Sequence, residues 1–198
     1  MKLILERWNR FLAEAEINKA KRLSIFDFDE TLAFAKGYID VLDRETGKKV
    51  KRITTQEEYD ELKVMDKYDF DFSALNKISD PQEVKSIMAT LRDRIKQPNT
   101  QVFVLTARAG DVEDDIHRYL ATLEPPVDTS DLYVKGLAGA NKGQYVLELL
   151  KEFPNIKQVE FYDDSMENIK AMVAASQQNT AVEFKIYLVK DGTVKQVK

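Results

Sequence analysis

Residues 23–33 read Leu23-Ser-Ile-Phe-Asp27-Phe-Asp29-Glu-Thr31-Leu-Ala33, a short apolar run that ends in two carboxylates spaced two residues apart. Side chains at this spacing in an extended chain point the same way, so Asp27 and Asp29 would leave the strand end on one side. A bound divalent cation, a shared proton or an early turn would relieve the repulsion between them. The stretch therefore predicts either a functional site or a solvated acidic strand end.

Composition limits the classes of function that are open to the chain. Its 198 residues, 43% of them hydrophobic, suffice for one globular domain with a buried core. No apolar stretch of about 18 residues predicts a membrane span, and no signal-peptide pattern is present, so we expect a cytoplasmic protein. The absence of cysteine and the single histidine, His117, disfavour thiolate chemistry and histidine metal sites. The net charge of -4 gives no bulk attraction to nucleic acid.

Strand-like and helix-like segments alternate along the chain. After the first strand, apolar runs predict four more strands, at 101–105, 132–134, 158–162 and 184–189. Helical patterns lie between them, at 81–96, 112–123, 142–153 and 165–176. This alternation predicts an α/β fold with a mostly parallel central sheet. A hairpin turn at 190–193 predicts a short antiparallel strand at the end.

Polar side chains follow several of the predicted strands. In a parallel sheet the carboxyl ends of the strands meet at one edge, where ligands bind. The residues expected at this edge are Asp27, Asp29, Thr106, Lys142, Asp163 and Asp164. Lys142 belongs to this set because it follows a glycine-rich loop and begins a predicted helix. The topology therefore predicts that carboxylates, a hydroxyl and an ammonium group converge.

The order of these residues resembles the four motifs of the haloacid dehalogenase (HAD) superfamily. The resemblance covers residues 23–189, and Asp27-x-Asp29-x-Thr31 is similar to the nucleophile loop of the superfamily. It implies a Rossmann-like three-layer sandwich. It also implies a Mg²⁺-dependent phosphomonoester hydrolase that acts through an aspartyl-phosphate intermediate.

The resemblance implies a role for each residue. Asp27 would be the nucleophile, and Asp29 would protonate the leaving oxygen and then activate water. Thr106 would bind phosphoryl oxygens, and Lys142 would neutralise the nucleophile and the transferring group. The metal ligands implied for Mg²⁺ are Asp27, Asp29, Asp163 and Asp164. Within the first pair, only Asp27 would bind the metal through its side chain, because the first loop is expected to offer a backbone carbonyl.

Three further residues are expected to contact the substrate, namely Thr31, Arg108 and Lys135. Arg108 offers a bidentate donor for a phosphate, or it forms a salt bridge to the acidic cluster that follows it. Lys135 is the alternative to Lys142 as the catalytic lysine. We favour Lys142, because it starts a helix after the loop. Asn168 either orients the acidic loop or lies on a solvated face.

A long interval separates the first two strands, and we assign its residues 34–70 to a flap or small cap within a single HAD-like domain of residues 1–198. The interval predicts a hairpin of residues 38–42 and 50–53, followed by a short helix capped by Thr55. An insertion this short leaves the crevice open. The openness favours a large substrate such as a nucleotide, a polynucleotide end or a phosphoprotein.

The predicted hairpin carries four basic residues. They are Lys48, Lys49, Lys51 and Arg52. They form either a solvated strand face or a patch that contacts the phosphates of a long substrate. The layout of the insertion and the Thr-x-Arg turn are also similar to the 3′-phosphatase domain of bacteriophage polynucleotide kinase and to phage-type HAD proteins.

Two other functions are compatible with the same residues. A phosphotransferase or phosphomutase would use the same aspartate, and a catalytically silent binding protein would keep only the fold.

Apolar residues at helical spacing over 3–20 predict an N-terminal amphipathic helix, which would pack on the domain or contact a partner. The sequence predicts a phosphorylated substrate and no membrane partner, and it does not indicate an oligomeric state.

Overall fold

A computed structural model of the protein describes residues 19–35, 37–109 and 112–198. All but the last two residues of the helix predicted over 3–20 lie outside these ranges. The description of the fold below concerns only the described part of the chain.

Strands and helices alternate within the described residues. The strands are β1 (Arg22–Phe26), β2 (Ala33–Phe34), β3 (Ile39–Asp43), β4 (Lys49–Ile53), β5 (Tyr68–Asp71), β6 (Gln82–Glu83), β7 (Thr100–Thr106), β8 (Leu132–Gly136), β9 (Gln158–Asp163), β10 (Glu183–Lys190) and β11 (Thr193–Gln196). The helices are α1 (Gln56–Leu62), α2 (Lys85–Ile95), α3 (Glu113–Thr122), α4 (Lys142–Glu152) and α5 (Met166–Gln178).

A six-stranded sheet forms the centre of the fold, with the strand order β11-β10-β9-β1-β7-β8. Every neighbouring pair is parallel except β10 and β11, which form the predicted antiparallel hairpin. The predicted α/β fold with a mostly parallel sheet is thereby confirmed. Because β1 lies between β7 and β9, the three strand ends that carry the predicted site are neighbours.

Alternate residues of β1 contribute to two separate cores. Phe26 packs with apolar residues of α2 and α3 on one face of the sheet, and Ile25 packs with those of α4 and α5 on the other. Phe26 also stacks on Tyr162 of β9, with ring centroids 4.6 Å apart. A strand that is covered on both faces needs mostly apolar residues, and four of residues 23–28 are buried and apolar. The result is the predicted three-layer sandwich.

The insertion forms a small antiparallel sheet in which β3 lies between β4 and β5. Thr55 caps α1 by accepting a hydrogen bond from the Glu58 amide, as predicted. β2 pairs with β6 and closes the base of the insertion. The segment between these two strands therefore runs from 35 to 81 and extends beyond the predicted 34–70. Neither β5 nor the β2–β6 ribbon was predicted.

The start of α2 was predicted four residues too early. The helical pattern places it at residue 81, whereas the helix begins at Lys85. Residues Gln82–Glu83 are extended because they pair with β2. Here a tertiary contact outweighs the local helical preference.

Gly143 lets α4 approach α5 closely. A Cβ atom at this position would lie 2.5 Å from the carbonyl oxygen of Ala171, which is a backbone atom of α5. No larger side chain fits without moving one of the helices. Because Lys142 precedes Gly143, this contact also fixes the start of α4 relative to the sheet edge.

We expect Gly143→Ala to lower the free energy of unfolding by about 1–3 kcal/mol, because the added methyl group forces the helices apart. Urea unfolding measures the change. Gln144→Ala is the matched control, since Gln144 is exposed on the same helix turn and its loss should change stability by less than about 0.5 kcal/mol. Equal stability of the two variants would contradict the close approach.

Candidate active site

Asp27 directly continues β1 at the sheet edge. Its amide donates to the carbonyl oxygen of Tyr162 at 2.9 Å, so the backbone still follows β9 at this point. The chain then turns sharply, because the amides of Leu32 and Ala33 both donate to the carbonyl oxygen of Phe28. Glu30 within this turn has a φ of 55°. The early turn gives the two carboxylates of the Asp-x-Asp stretch different surroundings.

Lys142 joins the ends of β1 and β9. Its Nζ atom donates to Asp27 Oδ1 and, at 2.8 Å, to Asp163 Oδ2. The lysine is 2% exposed. Its position is set by the start of α4, which Asn141 caps by accepting from the amide of Gln144 at 2.9 Å. The structure therefore brings the favoured lysine into contact with two of the predicted carboxylates.

Lys135 lies outside this cluster. Its side chain is exposed and donates to Glu113 Oε1 at 3.1 Å, at the first residue of α3. Side chains alternate along β8, so Lys135 faces away from the buried Val134. The expected substrate contact of Lys135 is not supported, because the lysine is held at the surface by α3.

Two groups besides Lys142 hold Asp163 in place. Its Oδ1 accepts from the Ser165 amide at 2.9 Å, and the Asn168 side-chain amide donates to both carboxylate oxygens, at 3.1 and 3.2 Å. Ser165 in turn caps α5. Of the two roles considered for Asn168, the structure favours orientation of the acidic loop.

Three carboxylates form a candidate metal site at the sheet edge. Oxygen atoms of Asp27, Asp163 and Asp164 lie within 4.8 Å of one another. Hard oxygen donors of this kind suit Mg²⁺, which prefers carboxylates and retained waters to nitrogen or sulfur ligands. The donor set therefore fits the predicted Mg²⁺. The side chain of Asp29 does not belong to this group, in keeping with the expectation that only Asp27 of the pair uses its side chain.

The charges of this cluster shift the pKa values of its members. Burial raises the pKa of Asp27 well above its usual value, and although Lys142 opposes this, the neighbouring carboxylates add to the increase. Burial and the adjacent Asp163 raise the pKa of Asp164 to about 6. Burial works against the charge of Lys142, but Asp27 and Asp163 outweigh it and raise the lysine pKa. The cluster thus holds more negative charge than one ammonium group offsets, which a divalent cation would relieve.

Thr31 faces the acidic loop rather than the open crevice. It is fully buried, and its Oγ1 donates to Asp164 Oδ1 at 3.5 Å. The sequence predicts that Thr31 contacts the substrate, and this stays a prediction. The contact that the structure gives its hydroxyl is with Asp164.

Asp29 pairs with Arg108. The Arg108 Nε and Nη2 atoms donate to the two oxygens of Asp29 at 2.8 and 2.7 Å, and the Nη1 atom donates to the carbonyl oxygen of Lys77 at 2.9 Å. The buried Thr106 hydroxyl lies 3.4 Å from Asp29 Oδ2. Sequence reasoning missed this pair. The two contacts considered for Arg108 were a substrate phosphate and the downstream acidic cluster, and its described partners are neither.

The basic residues of the hairpin are largely paired within the insertion. Asp40 accepts from Lys49 at 2.7 Å and from Arg52 at 2.9 Å, and Lys51 lies 3.7 Å from Glu58. Residues 38–71 contain seven Lys or Arg and ten Asp or Glu residues. Of the two interpretations of the basic residues, the structure favours a solvated strand face. None of the described helices is both long and apolar enough to cross a bilayer.

Two solved structures show which fold this is. The HAD domain of the effector protein Lem4 from Legionella pneumophila has a TM-score of 0.53 and 17% identity, over 90% of this chain and 91% of that one. An inactive mutant of the same domain has a TM-score of 0.52 and 16% identity, over 89% of each chain. The chain therefore has the fold of HAD domains, as the sequence motifs predict.

A third structure, the Legionella pneumophila effector Ceg4, has a TM-score of 0.47 and 17% identity, over 87% of this chain and 88% of that one. The sequence matches no protein-family model, and no curated protein is significantly similar to it.

Lys142→Met would leave Asp27 and Asp163 buried beside each other without their shared cation. We expect the free energy of unfolding to fall by about 3–5 kcal/mol, because removing one partner of a buried ion pair leaves the other uncompensated. Urea unfolding in EDTA at neutral pH measures the loss. The control is Lys135→Met, which breaks an exposed pair and should cost less than about 1 kcal/mol. Similar losses in both variants would contradict the buried position of Lys142.

Proposed function

We propose that the protein is a Mg²⁺-dependent phosphomonoester hydrolase that acts through an aspartyl phosphate on Asp27. One observation carries the proposal: the Asp27 carboxylate lies at the end of the central strand, in contact with a buried lysine and beside two further carboxylates. The fold that the chain shares with HAD domains supports it.

Charge explains why a nucleophilic carboxylate needs these neighbours. A phosphate monoester is an anion, so a carboxylate attacks it only where cations offset the repulsion. Lys142 supplies one positive charge next to Asp27. Mg²⁺ held by Asp27, Asp163 and Asp164 would supply two more and would neutralise charge on the phosphoryl oxygens.

The proposed reaction has two steps. In the first, an Asp27 oxygen attacks the phosphorus atom, the bond to the ester oxygen breaks, and Asp29 gives its proton to that oxygen. In the second, water attacks the phosphorus of the aspartyl phosphate, Asp29 takes a proton from the water, and Asp27 leaves as a carboxylate. An alcohol and inorganic phosphate are released, and both aspartates return to their starting state.

The proposed substrate is a nucleotide or a polynucleotide end. Its support is the small size of the insertion, whose described residues form one three-stranded sheet, the short helix α1 and a 3₁₀ turn at Ser73–Asn76. Pairing of Lys49 and Arg52 with Asp40 leaves little support for a contact with a long phosphate backbone. Of these two substrate classes, we therefore favour a nucleotide over a polynucleotide end, because the basic residues of the insertion are paired with its acidic residues.

We expect the wild type to release phosphate from phosphate monoesters in Mg²⁺ and to lose this activity in EDTA. A screen of nucleotides, oligonucleotides phosphorylated at the 3′ or 5′ end, and p-nitrophenyl phosphate measures it. Asp27→Asn should abolish turnover, because the neutral amide does not attack phosphorus. Asp128→Asn is the control, since Asp128 is exposed in the turn before β8, at the opposite edge of the sheet.

Three results would contradict the proposal. They are no phosphate release from any substrate, full activity of the Asp27→Asn variant, and full activity after metal removal. Transfer of phosphate to an added alcohol in preference to water would instead favour the phosphotransferase alternative, which uses the same aspartate.

A further inference from the structure

Arg108 is held from several sides at the end of β7. Its amide donates to the Thr106 hydroxyl at 3.2 Å, and its carbonyl oxygen accepts from the Ala138 amide at 2.9 Å. These bonds fix the backbone of the turn that carries the arginine. All three nitrogens of the guanidinium donate to protein oxygens, two to Asp29 and one to the carbonyl of Lys77.

We propose that Arg108 is a positioning residue, which acts by fixing the carboxylate of Asp29 in the direction that proton exchange requires. This inference rests on the proposed function, in which Asp29 exchanges a proton with the ester oxygen and then with water. It gives Arg108 a role that differs from the substrate contact expected from the sequence.

The geometry supports positioning over substrate binding. Arg108 is buried, and each nitrogen of its guanidinium already donates to a protein oxygen. The Asp29 side chain is 35% exposed. A carboxylate has about four lone-pair sites, of which a bidentate arginine occupies two. Asp29 therefore keeps oxygen sites for a proton-exchange partner on its open side while Arg108 holds it from behind.

Loss of Arg108 would leave Asp29 poorly held. Its remaining described contact is with the Thr106 hydroxyl at 3.4 Å, which is long for a hydrogen bond between oxygens. A carboxylate without fixed partners rotates among several orientations, and misplacement of a catalytic group lowers its contribution to the rate. The loss should be largest for substrates whose leaving oxygen most needs a proton.

The Lys77 contact extends this arrangement to the insertion. Lys77 lies in the segment between β5 and β6, through which the chain returns to the domain. The Nη1 bond to its carbonyl oxygen holds the guanidinium on the side away from Asp29. The position of the returning segment thereby helps to set the direction of Asp29.

The test compares two substrates of nearly the same shape, phenyl phosphate and p-nitrophenyl phosphate. Phenolate is the poorer leaving group and gains more from protonation, because the nitro group stabilises the other anion. The ratio of kcat/KM for the two substrates therefore reports proton donation to the leaving oxygen. We expect Arg108→Met to lower kcat/KM for phenyl phosphate by at least about tenfold more than for p-nitrophenyl phosphate, since general acids contribute about 10²–10⁴-fold.

Two further variants make the result specific. Arg108→Lys keeps the charge but offers no bidentate contact, so it should show the same selective loss to a smaller degree. In an Asp29→Asn background, Arg108→Met should leave the substrate ratio unchanged, because the group that it positions no longer exchanges a proton. Arg118→Met is the control, because Arg118 is an exposed arginine of α3 that donates to Asp115 at 2.6 Å.

The possible outcomes separate the hypotheses. Equal losses for both substrates, with weaker inhibition by inorganic phosphate, would show that Arg108 binds the phosphoryl group and would overturn the inference. An unchanged or increased kcat/KM for phenyl phosphate would also overturn it. An inactive wild type would instead refute the proposed function. Thermal melting shows whether each variant folds. If Arg108→Met does not fold, the ratio of kcat/KM values for Arg108→Lys tests the inference instead.

Discussion

The rest of the site depends on the contact between the Lys142 ammonium and the two buried carboxylates Asp27 and Asp163. Without a cation, two carboxylates at the ends of adjacent parallel strands would repel each other in a region with little water. The lysine has to reach this point from a helix on one face of the sheet. Asn141 fixes where that helix begins, and Gly143 lets it pack against α5. The cores on both faces hold these elements in place.

The same constraint gives the paired carboxylates of the first loop different surroundings. Asp27 remains in line with β1 and joins the lysine and the other acidic residues, whereas the turn after it carries Asp29 towards β7. There Asp29 meets Arg108 instead of the carboxylates of the candidate metal site. In the proposed reaction, these surroundings suit Asp27 to nucleophilic attack and Asp29 to proton exchange. A short turn in the backbone produces this division.

The central sheet was predictable because buried parallel strands are mostly apolar, as in residues 23–28 and 102–105. Convergence of Asp27, Lys142 and Asp163 followed from strand order alone. The errors have a common physical origin in contacts between distant parts of the chain. Arg108 pairs with Asp29, which lies 79 residues away, and α2 starts late because of pairing with β2. The contact of Lys135 with Glu113, 22 residues away, was likewise not predicted.

The central claim is that Asp27 becomes phosphorylated during turnover. Acid quenching of a single turnover in Mg²⁺, followed by mass spectrometry of the proteolytic peptides, tests it most directly. With p-nitrophenyl phosphate, whose leaving oxygen needs little protonation, Asp29→Asn would slow hydrolysis of the intermediate more than its formation and help it to accumulate. The account predicts one phosphoryl group on the peptide that contains Asp27, localised to that residue. Phosphate release with Asp27 unmodified, or a phosphoryl group on another residue, would contradict it.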